Sequence, residues 1–340
     1  MKKEFHQLPD GRMSYLYILR GGGLEAHITD FGATLHRLYV PDRNGVLEDV
    51  VLGFETPEEY INSTTFFGTI IGRNSNRVKK GQFCLNGKAY QMGRNDGSNN
   101  LHSGPDFFKD RLWTVESICE NSICLSLHSP DGDQGFPGNA EIRVTYALED
   151  GGTLRIYYDA VCDQDTVFNM TNHSYFNLAG HNKPEKAMDM LLMLPSTHFT
   201  PADQESIPTG QLRHVEGTPM DFRTPKPIGA DINADYDAIA FQKGYDHNFL
   251  VCANPCAVLT DPESGRSMTV ITDCPGLQFY SGNFLVGEKG KDGAQYCFRG
   301  GICLETQYYP NALNQPDWPQ PITKAEEPYH SETKYIFSAK

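Results

Sequence analysis

The chain has too little positive charge for a nucleic-acid-binding protein. Its 29 lysine and arginine residues stand against 43 aspartate and glutamate residues, which gives a formal net charge of −14. An electric field of that sign repels polyanions and anionic membrane surfaces. We therefore expect no nucleic-acid partner and no membrane partner, and phosphorylated substrates are disfavoured.

Long apolar runs and paired metal-binding cysteines are also missing. No stretch approaches the roughly 20 apolar residues of a membrane span, and the segment from Met1 to His6 lacks the apolar core of a secretory signal. The nine cysteines are scattered and show no CxxC spacing typical of zinc sites. We expect reduced thiols, no structural metal and a cytoplasmic location.

Helical periodicity is scarce, and the clearest helix start is the capping pattern at 56–59, Thr-Pro-Glu-Glu. Apolar residues instead alternate with polar ones, as at 24–28 and 123–127, and the runs 142–148 and 154–158 read as a hairpin. Together with 32 glycines and 21 prolines, this pattern predicts an all-β protein, a large antiparallel β-sandwich with few short helices.

No linker, repeat or low-complexity block divides the 340 residues. The segment 202–245 is polar and rich in turn residues, which is typical of a long excursion over the surface. The sequence therefore predicts a single domain over residues 1–340.

The segment 301–307, Gly-Ile-Cys-Leu-Glu-Thr-Gln, is the most informative part of the chain. Side chains alternate across a strand, so Cys303, Glu305 and Gln307 share one face. A structural strand more often carries an apolar residue at the centre of such a face, although a solvated edge strand is the ordinary alternative. Glu305 is therefore the first candidate for a working acid or base.

A second segment, 167–178, has the same character. Alternation places Asn169, Thr171, His173 and Tyr175 on one face, so that a histidine joins a polar row. Four further polar segments with glycine or proline punctuation lie at 72–77, 99–104, 245–249 and 275–283. Each taken alone has an ordinary structural explanation, such as a surface arginine pair or a structural histidine at His102.

In order along the chain, these segments read GRNSNR, NNLHSG, TNHSYFNL, DHNF, PGLQFYSGN and GICLETQ. The series resembles the aldose 1-epimerase, or galactose mutarotase, family over about residues 30–314. The resemblance implies a β-sandwich of the galactose mutarotase-like type. It also implies an isomerase that interconverts the α and β anomers of free aldohexoses such as galactose and glucose, with no metal and no organic cofactor.

The family pattern further implies roles for individual residues. Glu305 would be the base at the C1 hydroxyl, His173 the acid at the ring oxygen, and His102 a support on the ring-oxygen side. The substrate-binding residues would be Asn76, Arg77, Asp246 and Gln278. A histidine is largely neutral near pH 7, so a protonated His173 beside an ionised Glu305 needs a further negative charge nearby. We expect the Asp246 carboxylate to keep His173 charged. The partner is then a small-molecule sugar, and the protein is expected to be a monomer or a weak homodimer.

Some positions depart from the family pattern. Ser103 stands where a glycine is usual, Asn74 and Ser75 replace a small apolar pair, and the segment after Gln307 reads Tyr-Tyr-Pro-Asn-Ala. None of these changes removes a proposed catalytic group. They bear on the shape of the sugar pocket and hence on the preferred aldose.

Four other functions remain open at this stage. A carbohydrate-binding relative without turnover would keep the sugar contacts and lose the proton chemistry. A hexose-6-phosphate 1-epimerase would need a basic cluster for the phosphate, and only Arg73 and Arg77 lie near the motifs. A retaining glycoside hydrolase would pair Glu305 with Asp246. A metal hydrolase would use His102, His173 and Glu305 as ligands.

Overall fold

The computed structural model describes residues 1–340, and β-strands dominate it. The first strands in chain order are β1 Lys2–Gln7, β2 Met13–Gly21, β3 Leu24–Thr29, β4 Thr34–Pro41, β5 Leu47–Asp49, β6 Ile70–Ile71, β7 Arg77–Val78, β8 Gln82–Leu85, β9 Lys88–Gln91 and β10 Asn100–Leu101. The next are β11 Thr114–Ile118, β12 Ser122–Ser129, β13 Ala140–Glu149, β14 Thr153–Cys162, β15 Thr166–Val167, β16 Thr171–Asn172, β17 Tyr175–Phe176, β18 Leu191–Met193, β19 His198–Phe199 and β20 Arg213–His214. The last are β21 Lys226–Pro227, β22 Asp246–Leu250, β23 Ala257–Thr260, β24 Arg266–Thr272, β25 Gly276–Tyr280, β26 Glu288–Lys289, β27 Gln295–Tyr296, β28 Ile302–Gln307, β29 Ile322–Thr323 and β30 Tyr329–Ala339.

Helices are short. The α-helices are α1 Pro57–Asn62 and α2 Asp237–Gln242, and the 3-10 helices are Lys79–Gly81, Phe108–Asp110, Asp133–Gly135, Pro184–Asp189, Ile228–Ala230, Lys291–Gly293 and Ala312–Asn314. The predicted capping pattern is confirmed, because the Thr56 side chain accepts from the Glu59 amide and the Glu59 carboxylate accepts from the Thr56 amide. None of these helices has the length and apolar composition that a membrane span requires.

Three antiparallel sheets build the sandwich, which confirms the predicted fold class. A five-stranded meander runs β1-β2-β3-β4-β5. A nine-stranded sheet has the order β11-β12-β13-β14-β30-β24-β23-β18-β21, and it contains the predicted hairpin as β13 and β14. A six-stranded sheet, in the order β17-β28-β25-β22-β19-β20, carries the conspicuous polar segments.

One large apolar core joins the three sheets. It draws buried side chains from near both ends of the chain, from Tyr17 to Phe337. The segment 202–245 has little regular structure, but the expected excursion over the surface is wrong, because its apolar residues, including Phe222 and Ile239, are buried in this core. The shared core supports the single-domain interpretation, which stays a prediction.

The six-stranded sheet has two different faces. Ile302, Leu304 and Phe279 point into the large core, whereas Cys303 and Tyr280 belong to a smaller cluster on the opposite face. This alternation is the one expected from the sequence of β28. It leaves Glu305 on the side away from the main core.

Candidate active site

A pocket of about 280 Å³ opens on that second face of the six-stranded sheet. This volume lies near the lower end of the range for small-molecule sites, about 300–1,000 Å³, and suits a ligand the size of a monosaccharide. The lining residues are Thr64, Thr65, Phe66, Asn76, Arg77, Asp96, Leu101, His102, His173, Tyr175, Asp246, Tyr280, Phe284, Leu285 and Glu305. Six of the seven residues selected from the sequence are among them; Gln278 is not.

Glu305 is 2% exposed and sits in the middle of β28, opposite Gln278 of β25. Its Oε2 atom has no hydrogen-bond partner. Burial raises the pKa of the Glu305 carboxyl well above its ordinary value, and the nearby Asp246 carboxylate adds to the effect. Glu305 is thus a carboxyl group with a strong tendency to bind a proton and a free oxygen to do so.

The His173 ring faces that free oxygen. Its Nε2 atom lies 3.6 Å from Oε2 of Glu305. The ring lies between Phe66 and Tyr175, with centroid separations of 5.6 and 5.2 Å and interplanar angles of 26° and 21°. Burial lowers the pKa of His173 to about 4. The aromatic neighbours hold the ring in place, and the apolar surroundings favour its neutral form.

His102 approaches the same point from the segment after β10. Its ring lies 5.3 Å from that of His173, and its Nδ1 atom accepts a hydrogen bond of 3.1 Å from the Asn76 amide. Burial holds the pKa of His102 well below its ordinary value. A neutral imidazole that accepts at Nδ1 carries its hydrogen on Nε2, so His102 is a fixed donor at Nε2.

This tautomer bears on the metal-hydrolase hypothesis. Ligand atoms of His102, His173 and Glu305 lie within 4.8 Å of one another, a spacing that one metal ion could bridge. A metal at Nε2 of His102 requires a lone pair there, whereas the bond from the Asn76 amide leaves a hydrogen on that atom. The donor set therefore fits proton chemistry better than metal binding.

The opposite wall holds an arginine between two carboxylates. Nε of Arg77 donates to Asp96 at 2.7 Å, and its Nη1 lies 3.8 Å from Asp246. Gln278 lies behind Asp246 and donates from Nε2 to the Asp246 carboxylate at 2.6 Å. Gln278 thus contacts Asp246 but is not part of the pocket surface.

The expectation that Asp246 keeps His173 charged is wrong for the protein without sugar. The neighbours of the Asp246 carboxylate are Arg77 and Gln278, and burial raises its own pKa. The dominant influence on His173 is the loss of solvent around its ring, which favours the neutral form. Burial therefore favours a state in which the pair holds one proton and both groups are uncharged.

Sequence reasoning missed part of the pocket wall. Thr64, Thr65 and Phe66 follow α1 in a loop, and Phe284 and Leu285 follow β25 in another. The available signal was the run of hydroxyl and aromatic residues at 63–67, a composition suited to sugar contacts.

Two arginines in one motif lie in different environments. Arg73 is 0% exposed, and its guanidinium donates to Ser129, to Thr166 and to carbonyl oxygens of the segment 129–138. Arg77 is the one that lines the pocket.

Ser103, which replaces the usual glycine, accepts a hydrogen bond from the Asn74 amide and donates one to the Asn74 carbonyl. These two bonds connect the segment that carries His102 to the segment that carries Asn76.

Solved structures of similar fold support a comparison of the whole chain. An aldose epimerase homologue from Caenorhabditis elegans matches with a TM-score of 0.88 and 30% identity, over 96% of this chain and 99% of that one. A galactose 1-epimerase from Lactobacillus acidophilus matches with a TM-score of 0.86 and 29% identity, over 100% and 98% of the two chains. The sandwich and its acid–base pocket thus define an enzyme of the galactose mutarotase-like fold.

Sequence comparison gives the family. The aldose 1-epimerase family model matches residues 15–336. A galactose mutarotase from Sus scrofa is 42% identical over 98% of this chain and 97% of its own length. An aldose 1-epimerase from Haemophilus influenzae is 39% identical over 97% of each. The chain belongs to the aldose 1-epimerase family and is an isomerase, as its motifs predicted.

Proposed function

We propose that this aldose 1-epimerase interconverts the α and β anomers of free aldohexoses such as galactose and glucose, with Glu305 as base and His173 as acid. The main support for the proposal is the close approach of the Glu305 carboxyl group and the His173 ring. Nε2 of His173 and Oε2 of Glu305 face each other at 3.6 Å in a buried pocket, and the Glu305 oxygen has no partner within the protein.

The spacing of this pair suits the reaction. Anomerisation removes the proton of the C1 hydroxyl and protonates the ring oxygen, and both oxygens are bonded to the same carbon. The acid and the base must therefore be neighbours, with both within hydrogen-bond reach of one end of the sugar. Glu305, in β28, and His173, in the link between β16 and β17, meet that requirement with their facing atoms 3.6 Å apart.

The shared proton first passes from Glu305 to Nε2 of His173, and ring opening then consumes the charges of this ion-pair form. The Glu305 carboxylate takes the proton of the C1 hydroxyl while protonated His173 gives its Nε2 proton to the ring oxygen, so the C1–O5 bond breaks and an aldehyde forms. Glu305 is left as a carboxylic acid and His173 as a neutral ring. Burial favours this uncharged state, as the directions of both pKa shifts indicate, so the site stabilises the open-chain intermediate.

Ring closure reverses these transfers. Rotation about the C1–C2 bond presents the other face of the aldehyde to the C5 hydroxyl. That hydroxyl returns its proton to Nε2 of His173, Glu305 returns its proton to the new C1 oxygen, and the enzyme regains its first state. The Nε2–H group of His102 supplies a hydrogen bond on the ring-oxygen side throughout.

Sugar hydroxyls are assigned to the other polar lining residues. Asn76, Arg77 and Asp246 present donors and acceptors at the pocket surface, and Gln278 holds Asp246 in place. Phe66 and Tyr280 supply apolar surface for the C–H faces of the sugar ring. Both kinds of surface are needed, because a pyranose presents hydroxyl groups at its rim and C–H groups on its faces.

The charges at the pocket favour a free sugar over a sugar phosphate. Arg77 is the one arginine or lysine among the lining residues, and it is already engaged by Asp96 and Asp246. A phosphate at this site would meet two carboxylates and no unengaged cation.

The glycoside hydrolase hypothesis is disfavoured as well, since the Asp246 carboxylate is held by Gln278 and Arg77 rather than free to act as a second catalytic carboxyl.

The substrate class can be tested by polarimetry of freshly dissolved α-D-glucose, α-D-galactose and glucose 6-phosphate at equal concentrations. We expect catalysis of the change in rotation with both free sugars and a kcat/KM at least about 100-fold lower with the phosphate, in line with a charge repulsion of a few kcal/mol. Comparable rates with the phosphate would favour the hexose-6-phosphate epimerase. If the protein binds the sugars but the optical rotation changes only at the spontaneous rate, the non-catalytic relative is favoured.

We infer further that the protein acts in the cytoplasm as a monomer or weak homodimer. All nine cysteines are free, which is consistent with a reducing compartment. Cell fractionation tests the location, and sedimentation at several protein concentrations tests the assembly. Export from the cytoplasm or a concentration-independent oligomer would contradict these inferences.

A further inference from the structure

We propose that Cys303 is a positioning residue whose sulfur accepts a hydrogen bond from Nδ1–H of His173 and so reserves Nε2 for proton transfer. The inference deepens the proposed function and rests on it. It concerns which nitrogen of the ring carries hydrogen in the neutral state and what holds that arrangement.

The contact is well defined. Sγ of Cys303 lies 3.6 Å from Nδ1 of His173, within the range of hydrogen bonds to sulfur. Cys303 is 0% exposed and stands two residues before Glu305 on the same face of β28. One strand thus contacts both nitrogens of the His173 ring, with a thiol at Nδ1 and a carboxyl at Nε2.

The two proton transfers require neutral His173 to carry its hydrogen on Nδ1. When protonated His173 gives its Nε2 proton to the ring oxygen, the remaining hydrogen is on Nδ1. The Nε2 lone pair must then stay free to recover the proton at ring closure. A neutral ring with hydrogen on Nε2 could not accept there, so an acceptor at Nδ1 keeps the ring competent between the two steps.

Sulfur is suited to this position because it is a weak acceptor. A carboxylate at Nδ1 would stabilise the imidazolium and make it a poorer acid. Burial, followed by the charges of Glu305 and Asp246, raises the pKa of the Cys303 thiol well above its ordinary range, so it stays an uncharged acceptor. His173 can then remain a strong acid, with its pKa lowered to about 4.

The two histidines of the site therefore differ. His102 receives a hydrogen bond from the Asn76 amide at Nδ1 and is a fixed donor at Nε2. His173 donates from Nδ1 to Cys303 and exchanges a proton at Nε2. The opposite environments at the two Nδ1 atoms separate a hydrogen-bond donor from a proton-transfer group.

The test is the ¹⁵N NMR spectrum of the protein labelled at its eleven histidines, recorded near pH 7 without sugar, with His173→Asn used to assign the His173 signals. We expect wild-type His173 to be neutral with hydrogen on Nδ1. Hydrogen on Nε2 in the wild type would overturn the proposal, and this result needs no Cys303 variant to fold.

Variants at Cys303 add a kinetic readout. Cys303→Ala should populate the Nε2–H tautomer and lower kcat about threefold to tenfold, the value of one neutral hydrogen bond, with KM within about twofold. Cys303→Ser keeps an acceptor and should restore both the tautomer and kcat. Cys256→Ala removes another buried thiol outside the pocket and serves as the matched control. An unchanged tautomer in folded Cys303→Ala would refute the proposal.

The two proposals can fail separately. A wild-type protein that has the Nδ1–H tautomer but does not accelerate mutarotation contradicts the proposed function and leaves the role of Cys303 intact. Fast mutarotation with hydrogen on Nε2 of neutral His173 supports the function and overturns the role of Cys303.

Discussion

Nε2 of His173 lies 3.6 Å from Oε2 of Glu305, and both side chains are almost fully buried. Loss of solvent penalises the charged form of each, so it raises the pKa of the carboxyl group and lowers the pKa of the ring. Two groups this close titrate as a unit that holds one proton over a wide pH range.

The pH dependence of kcat/KM follows from that unit. Below its lower macroscopic pKa the pair gains a second proton and Glu305 cannot accept from the sugar; above its upper value no proton remains for the ring oxygen. Since the pKa of His173 is lowered to about 4, we expect the acid limb near pH 4 to 5. Polarimetry across pH, with the spontaneous rate subtracted, measures it. An acid limb at about 6.5, the value of an unperturbed histidine, would contradict this account.

His102 offers a pair of variants that separate its two nitrogens. Asparagine at position 102 keeps an acceptor for the Asn76 amide but loses the donor that faces the sugar. We expect His102→Asn to lower kcat about 100-fold, the usual effect of removing one donor to a developing charge, with stability changed by about 1 kcal/mol or less.

Glutamine at position 102 places an amide near the former Nε2 and leaves the Asn76 amide unpaired. We expect His102→Gln to retain more activity and to lose more stability than His102→Asn. Activity by polarimetry and unfolding in urea decide between them. The opposite ranking would show that His102 is chiefly structural.

Gln278 is expected to affect substrate binding through Asp246. Its Nε2 atom donates to the Asp246 carboxylate at 2.6 Å, so Gln278→Met keeps most of the volume and frees the carboxylate to turn. We predict a rise in KM of about tenfold, the effect of one hydrogen bond to a charged group, with kcat within about threefold. A fall in kcat at constant KM would place Gln278 in the proton chemistry.

Arg73 is expected to act on stability. Its guanidinium makes six hydrogen bonds, five of them buried and one partly buried, and lysine has three donors at most. Arg73→Lys should lower the free energy of unfolding by about 3 kcal/mol, whereas the exposed Arg20→Lys should change it by about 0.5 kcal/mol or less. Urea unfolding measures both. A raised KM at unchanged stability would instead assign Arg73 to the substrate.

The sequence was sufficient for some features of the site because they depend on local periodicity. Alternation within 301–307 put Glu305 beside Cys303, and the register of β28 reproduces that arrangement. The hairpin of β13 and β14 and the cap of α1 rest on equally local patterns. Family resemblance then supplied the roles that alternation alone left open.

Other features required three-dimensional packing. Arg73 and Arg77 lie four residues apart in one motif, yet one is enclosed by the segment 129–138 and the other lines the pocket. Loop geometry decides that difference. The pKa of His173 depends on how much solvent its neighbours exclude, which no spacing of residues reveals, and for that reason the expected influence of Asp246 was wrong.

The most direct test of the central claim is polarimetry of α-D-galactose with the wild-type protein and with Glu305→Gln, which keeps the shape of the side chain and removes the base. Galactose binding to both proteins is measured by calorimetry as the control for an intact pocket. We predict rapid mutarotation by the wild type and a loss of about 1,000-fold or more in the variant, the contribution of one positioned base, with binding retained. A variant as fast as the wild type would show that Glu305 is not the base.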